Sequence, residues 1–223
     1  MVKRLRKLDI NPWLTIFTQP RETIRKILRF NPKYHVLLLA MLGGIASAVD
    51  KAAANTLGDY MSITAILIFT IIAGVIGGLL SLYVFSGLLK LTGDWIGGKA
   101  SYGSIRTVFS WSMVPLVWGM ILWIPQILIF GQEVFSSSTA IFDSSRVFIL
   151  LAALFFIIDF VLWIWNIVIL VLGLSEAQKF SVWKAMSNIL LSAALLVVAM
   201  VIIIIILVMV SAPIFISKLL FFS

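Results

Sequence analysis

Cysteine is absent from this 223-residue chain, histidine occurs once, and charged residues make up only 12% of the sequence. The lack of cysteine excludes disulfides, thiolate metal sites and a cysteine nucleophile. The single histidine, His35, lies at the edge of an apolar block. Packing at a membrane interface explains it better than metal binding, which needs several such ligands. No catalytic residue, metal site or cofactor is therefore predicted.

Apolar residues are abundant instead, at 62% of the chain, with a mean hydropathy of +1.14. Soluble domains are about half apolar and a quarter charged. A run of ~20 apolar residues crosses a bilayer core of ~30 Å, and backbone groups in lipid must pair within their own segment. The sequence therefore predicts an all-α integral membrane protein whose domain, residues 34–217, has five transmembrane helices. The predicted spans are Tyr34–Val49, Tyr60–Leu89, Thr107–Gln132, Val147–Ser175 and Ala185–Ser217.

The basic residues are distributed unevenly around these spans. If the five spans alternate in direction, 14 of the 17 Lys and Arg residues lie on the same side of the membrane as the N-terminus. The exceptions are Lys51, Arg146 and Lys218. The positive-inside rule then predicts a cytoplasmic N-terminus and a C-terminus outside. The net charge of +8 is explained by contact with the anionic lipids of the inner leaflet. Nucleic acid is therefore not predicted as a partner.

Residues 1–33 form a basic tail that contains a predicted amphipathic helix. Pro20 suits a first helical position, and Asn31-Pro32 ends the helix because the residue before proline avoids the helical region. Ile24, Ile27 and Leu28 share one face. The pattern predicts a short cytoplasmic helix on the inner leaflet; a docking site for a partner is the alternative. The residues expected at the lipid interface are Trp13, Arg21, Arg25, Lys26 and Arg29.

Small residues recur at four-residue spacing in the first two spans. Such faces let helix backbones approach closely, so we expect these two spans to pack against each other. The alternative is that one of the faces receives another subunit. The residues concerned are Ala40, Gly44 and Ala48 in the first span, and Gly74, Gly77, Gly78 and Ser81 in the second.

Two further features lie inside predicted spans. Pro115 removes a backbone hydrogen bond in the third span and predicts a kink there. Asp159, in the fourth span, is the only acidic residue deep inside a predicted span and shares a helical face with Asn166. A carboxylate at that depth costs ~2.5–3.5 kcal/mol on insertion scales. It either locks helices together as a hydrogen-bonded or protonated carboxyl, or forms a site linked to a proton or cation.

Three stretches of the chain together resemble the Yip1-domain family of small multi-span membrane proteins, and especially members from Bacillus-like bacteria. The resemblance implies five helices, a cytoplasmic N-terminus and residence in a bacterial cytoplasmic membrane. It also implies an accessory role in other membrane machines, including ABC-type exporters, and transfers no catalytic residue. The stretches are Asn11-Pro12-Trp13 to Asn31-Pro32-Lys33, Gly97 to Pro115, and Leu172 to Ala185.

Two functions remain open from the sequence. The first is a non-enzymatic membrane scaffold or accessory subunit that contacts other membrane proteins, or copies of itself, through its helices. The second is a small transporter or channel for a solute, proton or lipid that uses Asp159 and Asn166.

Overall fold

The computed structural model describes residues 8–137 and 145–221, and every regular element within them is helical. Eight α-helices and two short 3-10 helices, Leu57–Asp59 and Gly131–Phe135, make up this part of the chain. The α-helices are α1 (Pro12–Thr18), α2 (Pro20–Phe30), α3 (Val36–Ala54), α4 (Ile63–Trp95), α5 (Tyr102–Ser112), α6 (Val114–Phe130), α7 (Arg146–Gln178) and α8 (Val182–Phe221).

Five helical segments are long and apolar enough to cross a membrane, which confirms the predicted five-span, all-α architecture. They are Val36–Ala54, Ile63–Trp95, Tyr102–Phe135, Arg146–Gln178 and Val182–Val210. The helices α1 and α2 lie at one end of this bundle, here named the tail end; the opposite end is named the far end. The helices run beyond the apolar blocks, because α3 continues through Asp50 to Ala54 and α4 continues to Trp95.

The closest helix pair in the bundle is α3 with α4. Gly78 faces the carbonyl oxygen of Ala40, and an added Cβ at Gly78 would lie 3.0 Å from the Cα of Gly44. An added Cβ at Gly74 would lie 2.5 Å from the Cα of Ile45. Backbone therefore meets backbone here, an approach that only small residues allow.

The other small residues of these helices have a different environment. No atom lies within 4 Å of a Cβ added at Gly77. Ala48, Gly77 and Ser81 line an open groove of about 670 Å³ beside the α3–α4 contact, and the side chain of Lys51 lines the same groove. The small-residue pattern thus covers both a helix contact and an adjacent unfilled surface.

The third span is divided into two helices at Met113, two residues before Pro115. Helix α5 ends at Ser112, and Pro115 occupies the first turn of α6, where its missing N–H breaks no helical bond. The Ser112 hydroxyl donates to the carbonyl of Phe109 at 2.8 Å. The divided span lets α5 pack at the tail end while α6 continues toward the far end.

Helix α8 is packed against the bundle at its tail-end half alone, among the side chains that the structure describes. Ala185, Asn188 and Ser192 are buried, with 0%, 0% and 3% exposed surface. All residues from Val197 to Val210 are exposed, on every face of the helix. At 1.5 Å per residue this exposed segment is ~20 Å long, most of the thickness of a bilayer core.

Candidate functional sites at the tail end and between the spans

The two tail helices are packed into the tail end of the bundle. Ile16 of α1 and Ile24 and Ile27 of α2 have 0% exposed surface, and α2 packs against α7 and α5. This differs from the expectation of an apolar face lying on lipid, because protein covers that face. The periodicity of α2 identifies an amphipathic helix, but periodicity does not distinguish a protein neighbour from a membrane.

Arginine side chains of α2 connect the tail to the end of α7. Arg25 donates from Nε and Nη2 to the two carboxylate oxygens of Glu176, both at 2.9 Å. The pKa of Arg25 is raised above its ordinary value, chiefly by this hydrogen bond. Arg21 donates to the Ser175 hydroxyl at 3.3 Å, and Lys179 also contacts Glu176, at 2.6 Å. Two of the predicted lipid-interface arginines therefore have protein partners.

The remaining predicted interface residues have more varied positions. Lys26 pairs with Glu22 one turn earlier in α2, at 2.7 Å, and this contact lowers the pKa of Glu22. Arg29 is exposed in the last turn of α2. The indole of Trp13 packs edge-on against that of Trp111, with 5.8 Å between ring centroids. Lys26 and Arg29 are consequently better placed than Trp13 to meet a membrane surface.

A second set of contacts joins the segment after α2 to helix α5. Trp111 has 0% exposed surface, and its indole Nε1 donates to the carbonyl of Tyr34 at 3.0 Å. The hydroxyl of Thr107 donates to the carbonyl of Pro32. His35, the single histidine, packs against the rings of Tyr34 and Trp111. In the structure His35 thus packs against aromatic rings of the protein, and its expected place at a membrane interface stays a prediction.

Gln178, at the end of α7, connects α7 to the glycine-rich segment between α4 and α5. Its Oε1 accepts from the backbone N–H of Ala100 at 3.1 Å, and its Nε2 donates to the carbonyl of Leu89 at 3.4 Å. An added Cβ at Gly93 or at Gly98 would overlap the Gln178 amide. These glycines therefore leave the space that a fully buried glutamine needs.

The three stretches that resemble the Yip1 domain thus come together at the tail end. Arg25 and Tyr34 lie in or just after the first, Ala100 and Trp111 in the second, and Glu176 in the third. They are far apart in sequence, and hydrogen bonds and ring packing join them in the structure. Gln178 was not singled out by sequence reasoning, because a polar residue beside a predicted loop gives no signal of burial.

A buried polar joint holds the first turns of α8 against α4. The hydroxyl of Thr92 lies 2.6 Å from the Asn188 carbonyl oxygen Oδ1 and 2.7 Å from the hydroxyl of Ser192. All three residues are buried. Beyond Ser192 this kind of contact ends, within the part of α8 whose side chains are described. The position of α8 is thus set at its tail-end half.

Between the spans, Asp159 lies beside a second carboxylate, Asp50. The two side chains line one cavity of about 50 Å³ between α3, α6 and α7. Asp50 Oδ1 accepts from the indole N–H of Trp123 at 3.1 Å. Gln126 lies beside the Asp159 carboxyl, and its own amide nitrogen is buried without a hydrogen bond of ordinary geometry. Asp159 therefore shares this cavity with an acidic residue that was not singled out from the sequence: Asp50, an exposed residue one turn before the end of α3.

Asn166 is not part of that cavity. It lies two turns nearer the tail end on α7, and its Oδ1 is buried without a hydrogen-bond partner. The structure thus brings Asp159 together with Asp50 rather than with Asn166. Asp50 was missed because it follows the first apolar block directly, where a charged residue ordinarily marks the end of a span.

The fold and these contacts define a multi-pass α-helical membrane protein. Within its described residues, no group of three or more histidine, cysteine or acidic residues is placed to hold a metal ion. The family model of the Yip1 domain matches residues 14–206, and the chain belongs to that family. No curated protein and no solved structure gives a significant match.

Proposed function

We propose that this protein is a non-enzymatic scaffold or accessory subunit that binds a transmembrane helix of another membrane protein through helix α8. The observation that carries the proposal is the all-round exposure of Val197–Val210. Helix α8 contacts α4 and α7, and its buried residues, Ala185, Asn188 and Ser192, all precede Val197 among the side chains that the structure describes. Its exposed side chains form a continuous apolar helical surface that a partner helix can contact.

The composition of α8 favours helix packing. Residues 201–208 read Val-Ile-Ile-Ile-Ile-Ile-Leu-Val. A β-branched side chain has essentially one χ1 rotamer in a helix, so it loses little side-chain entropy when a second helix packs against it. Helix association in lipid depends on such van der Waals packing rather than on the hydrophobic effect. The permease subunit of an ABC-type exporter is the partner that the bacterial resemblance favours, and a second copy of this chain is the other candidate.

Crosslinking from single cysteines tests this proposal directly, since the natural chain has none. Cysteines placed one at a time from Val197 to Val210 are derivatised with benzophenone maleimide and irradiated in native membranes. If one face of α8 binds a partner helix, adduct yields peak at positions three or four residues apart. Mass spectrometry then identifies the partner, and two differently tagged copies reveal an adduct between copies.

A matched control is Leu80→Cys on α4, because Leu80 is 62% exposed and comparable to Ile203 at 56%. This position is expected to give lipid adducts. Protein adducts of equal yield all around α8, or no more adduct than at the Leu80 control, would mean random collisions and would contradict the proposal.

The location that goes with this role is a bacterial cytoplasmic membrane with the tail end in the cytoplasm and the C-terminus outside. The distribution of Lys and Arg supports it. Tyr60→Cys at the far end and Lys99→Cys at the tail end, both at exposed positions, provide the test. An impermeant maleimide is expected to label the first in intact cells and the second only after lysis. The reverse pattern would overturn the orientation.

A second candidate function is movement of a proton or small solute between the spans. The juxtaposition of Asp159 with Asp50 across one cavity favours it, as does the unpaired Oδ1 of Asn166. Liposomes that contain the purified protein and a pH-sensitive dye measure this activity. Flux that is lost in both Asp159→Asn and Asn166→Ala would support transport through this region; flux equal to that of empty liposomes would refute it.

A further inference from the structure

We propose that a cavity at the tail end of the bundle binds the phosphate group of an anionic ligand through Lys33 and Arg106. The cavity has a volume of about 310 Å³ and lies between the segment that precedes α3 and the first turns of α5. Pockets for small ligands have volumes from about 300 Å³ upward, so this cavity is large enough for a phosphate group and part of the molecule that carries it. The inference goes beyond the scaffold role and holds whether or not α8 binds a partner.

Hydrogen bonds fix the elements that form this cavity against one another. The hydroxyl of Thr107 in α5 donates to the carbonyl of Pro32, which holds the segment before α3 against α5. The hydroxyl of Tyr102 donates to the carbonyl of Tyr83 at 3.0 Å, which holds the start of α5 against α4. A site that is formed before its ligand arrives avoids the entropic cost of ordering its parts on binding.

The guanidinium of Arg106 is held in position without a hydrogen bond to the protein at its Nε. It lies over the rings of Tyr83 and Tyr102, at 4.7 Å and 5.8 Å from their centroids. Its Nε is buried and has no hydrogen-bond partner, and no carboxylate among the described residues forms an ion pair with it. Contact with ring faces leaves the N–H groups at the edge of a guanidinium free for a two-point contact with phosphate. A buried donor without an acceptor therefore points to a missing ligand.

The other walls of the cavity add positive charge and no acidic group. Lys33 lines the cavity, none of the lining residues is acidic, and Lys33 forms no ion pair within the part of the chain that the structure describes. Ser101 and Gly103 line it at the start of α5, where the first backbone N–H groups have no acceptor within the helix. Beyond the adjacent residues, the side-chain atom nearest to an added Cβ at Gly103 would be the Ser101 hydroxyl oxygen, at 3.9 Å. Such an open helix N-terminus is favourable for phosphate.

The position of the cavity determines where its phosphate can come from. Its walls lie at the ends of the membrane-spanning segments Val36–Ala54 and Tyr102–Phe135, and the headgroups of phospholipids lie just outside the hydrocarbon core that such segments cross. The phosphate of an anionic phospholipid is therefore one source. Free phosphate from solution is the other, because Lys33 at the mouth of the cavity is exposed.

A scintillation proximity assay on the purified full-length protein in a neutral detergent tests the site. One arm uses tritiated phosphatidylglycerol, with unlabelled phosphatidylcholine of the same acyl chains as the zwitterionic competitor. The other arm uses radiolabelled orthophosphate, with chloride at equal ionic strength as the competitor. The variants are Lys33→Gln and Arg106→Gln, and the matched control is Lys99→Gln, an exposed lysine at the same end that does not line the cavity.

Saturable binding of at least one probe is expected, and each variant should raise its dissociation constant by about tenfold, the effect of one lost charge-assisted hydrogen bond. Lys99→Gln should leave the dissociation constant unchanged. Binding of phosphatidylglycerol alone identifies the lipid headgroup as the ligand, binding of orthophosphate alone identifies free phosphate, and binding of both shows that the phosphate group itself is recognised. Lys33→Gln removes an exposed side chain, so it tests the site even if Arg106→Gln does not fold. The absence of saturable binding in both arms, or equal affinities of the natural chain and Lys33→Gln, would overturn the proposal.

Discussion

Replacing Gly78 by alanine tests the α3–α4 contact at its tightest point. The added methyl group would overlap the carbonyl oxygen of Ala40 and lie 3.0 Å from the Cα of Gly44. Both neighbours are backbone atoms and cannot rotate away. The helices must separate by on the order of 1 Å to restore contact distances.

Gly77→Ala is the matched control for this change. It is the adjacent residue of the same helix, and nothing lies within 4 Å of its added Cβ. Both substitutions gain the same helix propensity of ~1 kcal/mol, so the difference between the two variants isolates the packing contribution. Overpacking of a well-packed contact costs ~1–3 kcal/mol. Gly78→Ala should therefore be less stable than Gly77→Ala by that amount, which changes the unfolding equilibrium by a factor between about 5 and about 150.

The measurement is reversible unfolding in mixed micelles with increasing dodecyl sulfate, followed by the fluorescence of the protein's eight tryptophans. Gly78→Ala should unfold at a lower detergent fraction than either the natural chain or Gly77→Ala. If the two alanine variants unfold together, backbone contact between α3 and α4 is not what stabilises the pair.

Two further predictions concern the ends of the bundle. Gln178→Ala should lower the free energy of unfolding by about 1–3 kcal/mol, because the N–H of Ala100 and the carbonyl of Leu89 lose a buried partner. The control is replacement of the exposed Gln19 by alanine, which should have no effect in the same titration. Equal effects of the two substitutions would contradict a specific role for Gln178. At the far end, a hydrogen bond with the side chain of Ser137 chiefly lowers the pKa of Asp59. The stability that Asp59 contributes is then present above its unfolded-state pKa and is lost as the pH falls through its folded-state pKa. Between about pH 5 and about pH 3, the natural chain should lose more stability than Asp59→Asn, and parallel pH profiles would refute this link.

The architecture of the bundle could be predicted from the sequence because lipid imposes a simple requirement. Five long apolar runs must become helices when no water is available to pair with the backbone. The small-residue pattern indicated which spans meet, and the structure places Gly44, Gly74 and Gly78 at their contact. The same pattern did not predict that Gly77 and Ser81 would line an open groove, because residues one position apart on a helix point about 100° away from each other.

The polar contacts were harder to predict. Asp50 and Asp159 line one cavity between three helices, and Arg25 reaches Glu176 from 151 positions away along the chain. Periodicity identifies the face of a single helix but not its rotation against another helix. Arg21 and Arg25 were consequently assigned to lipid, although a carboxylate and a hydroxyl of α7 satisfy them.

The polar joint between Thr92, Asn188 and Ser192 has a mechanical consequence for α8. Among the side chains described up to Val210, the buried residues of α8 lie in its first eleven residues, so this part of the helix is held at one end, like a beam. Over the ~27 Å from Ser192 to Val210, a tilt of ~10° at the joint sweeps the outer part of the helix sideways by ~5 Å. A change of one hydrogen bond at one membrane surface would thereby be transmitted to whatever touches this helix near the other.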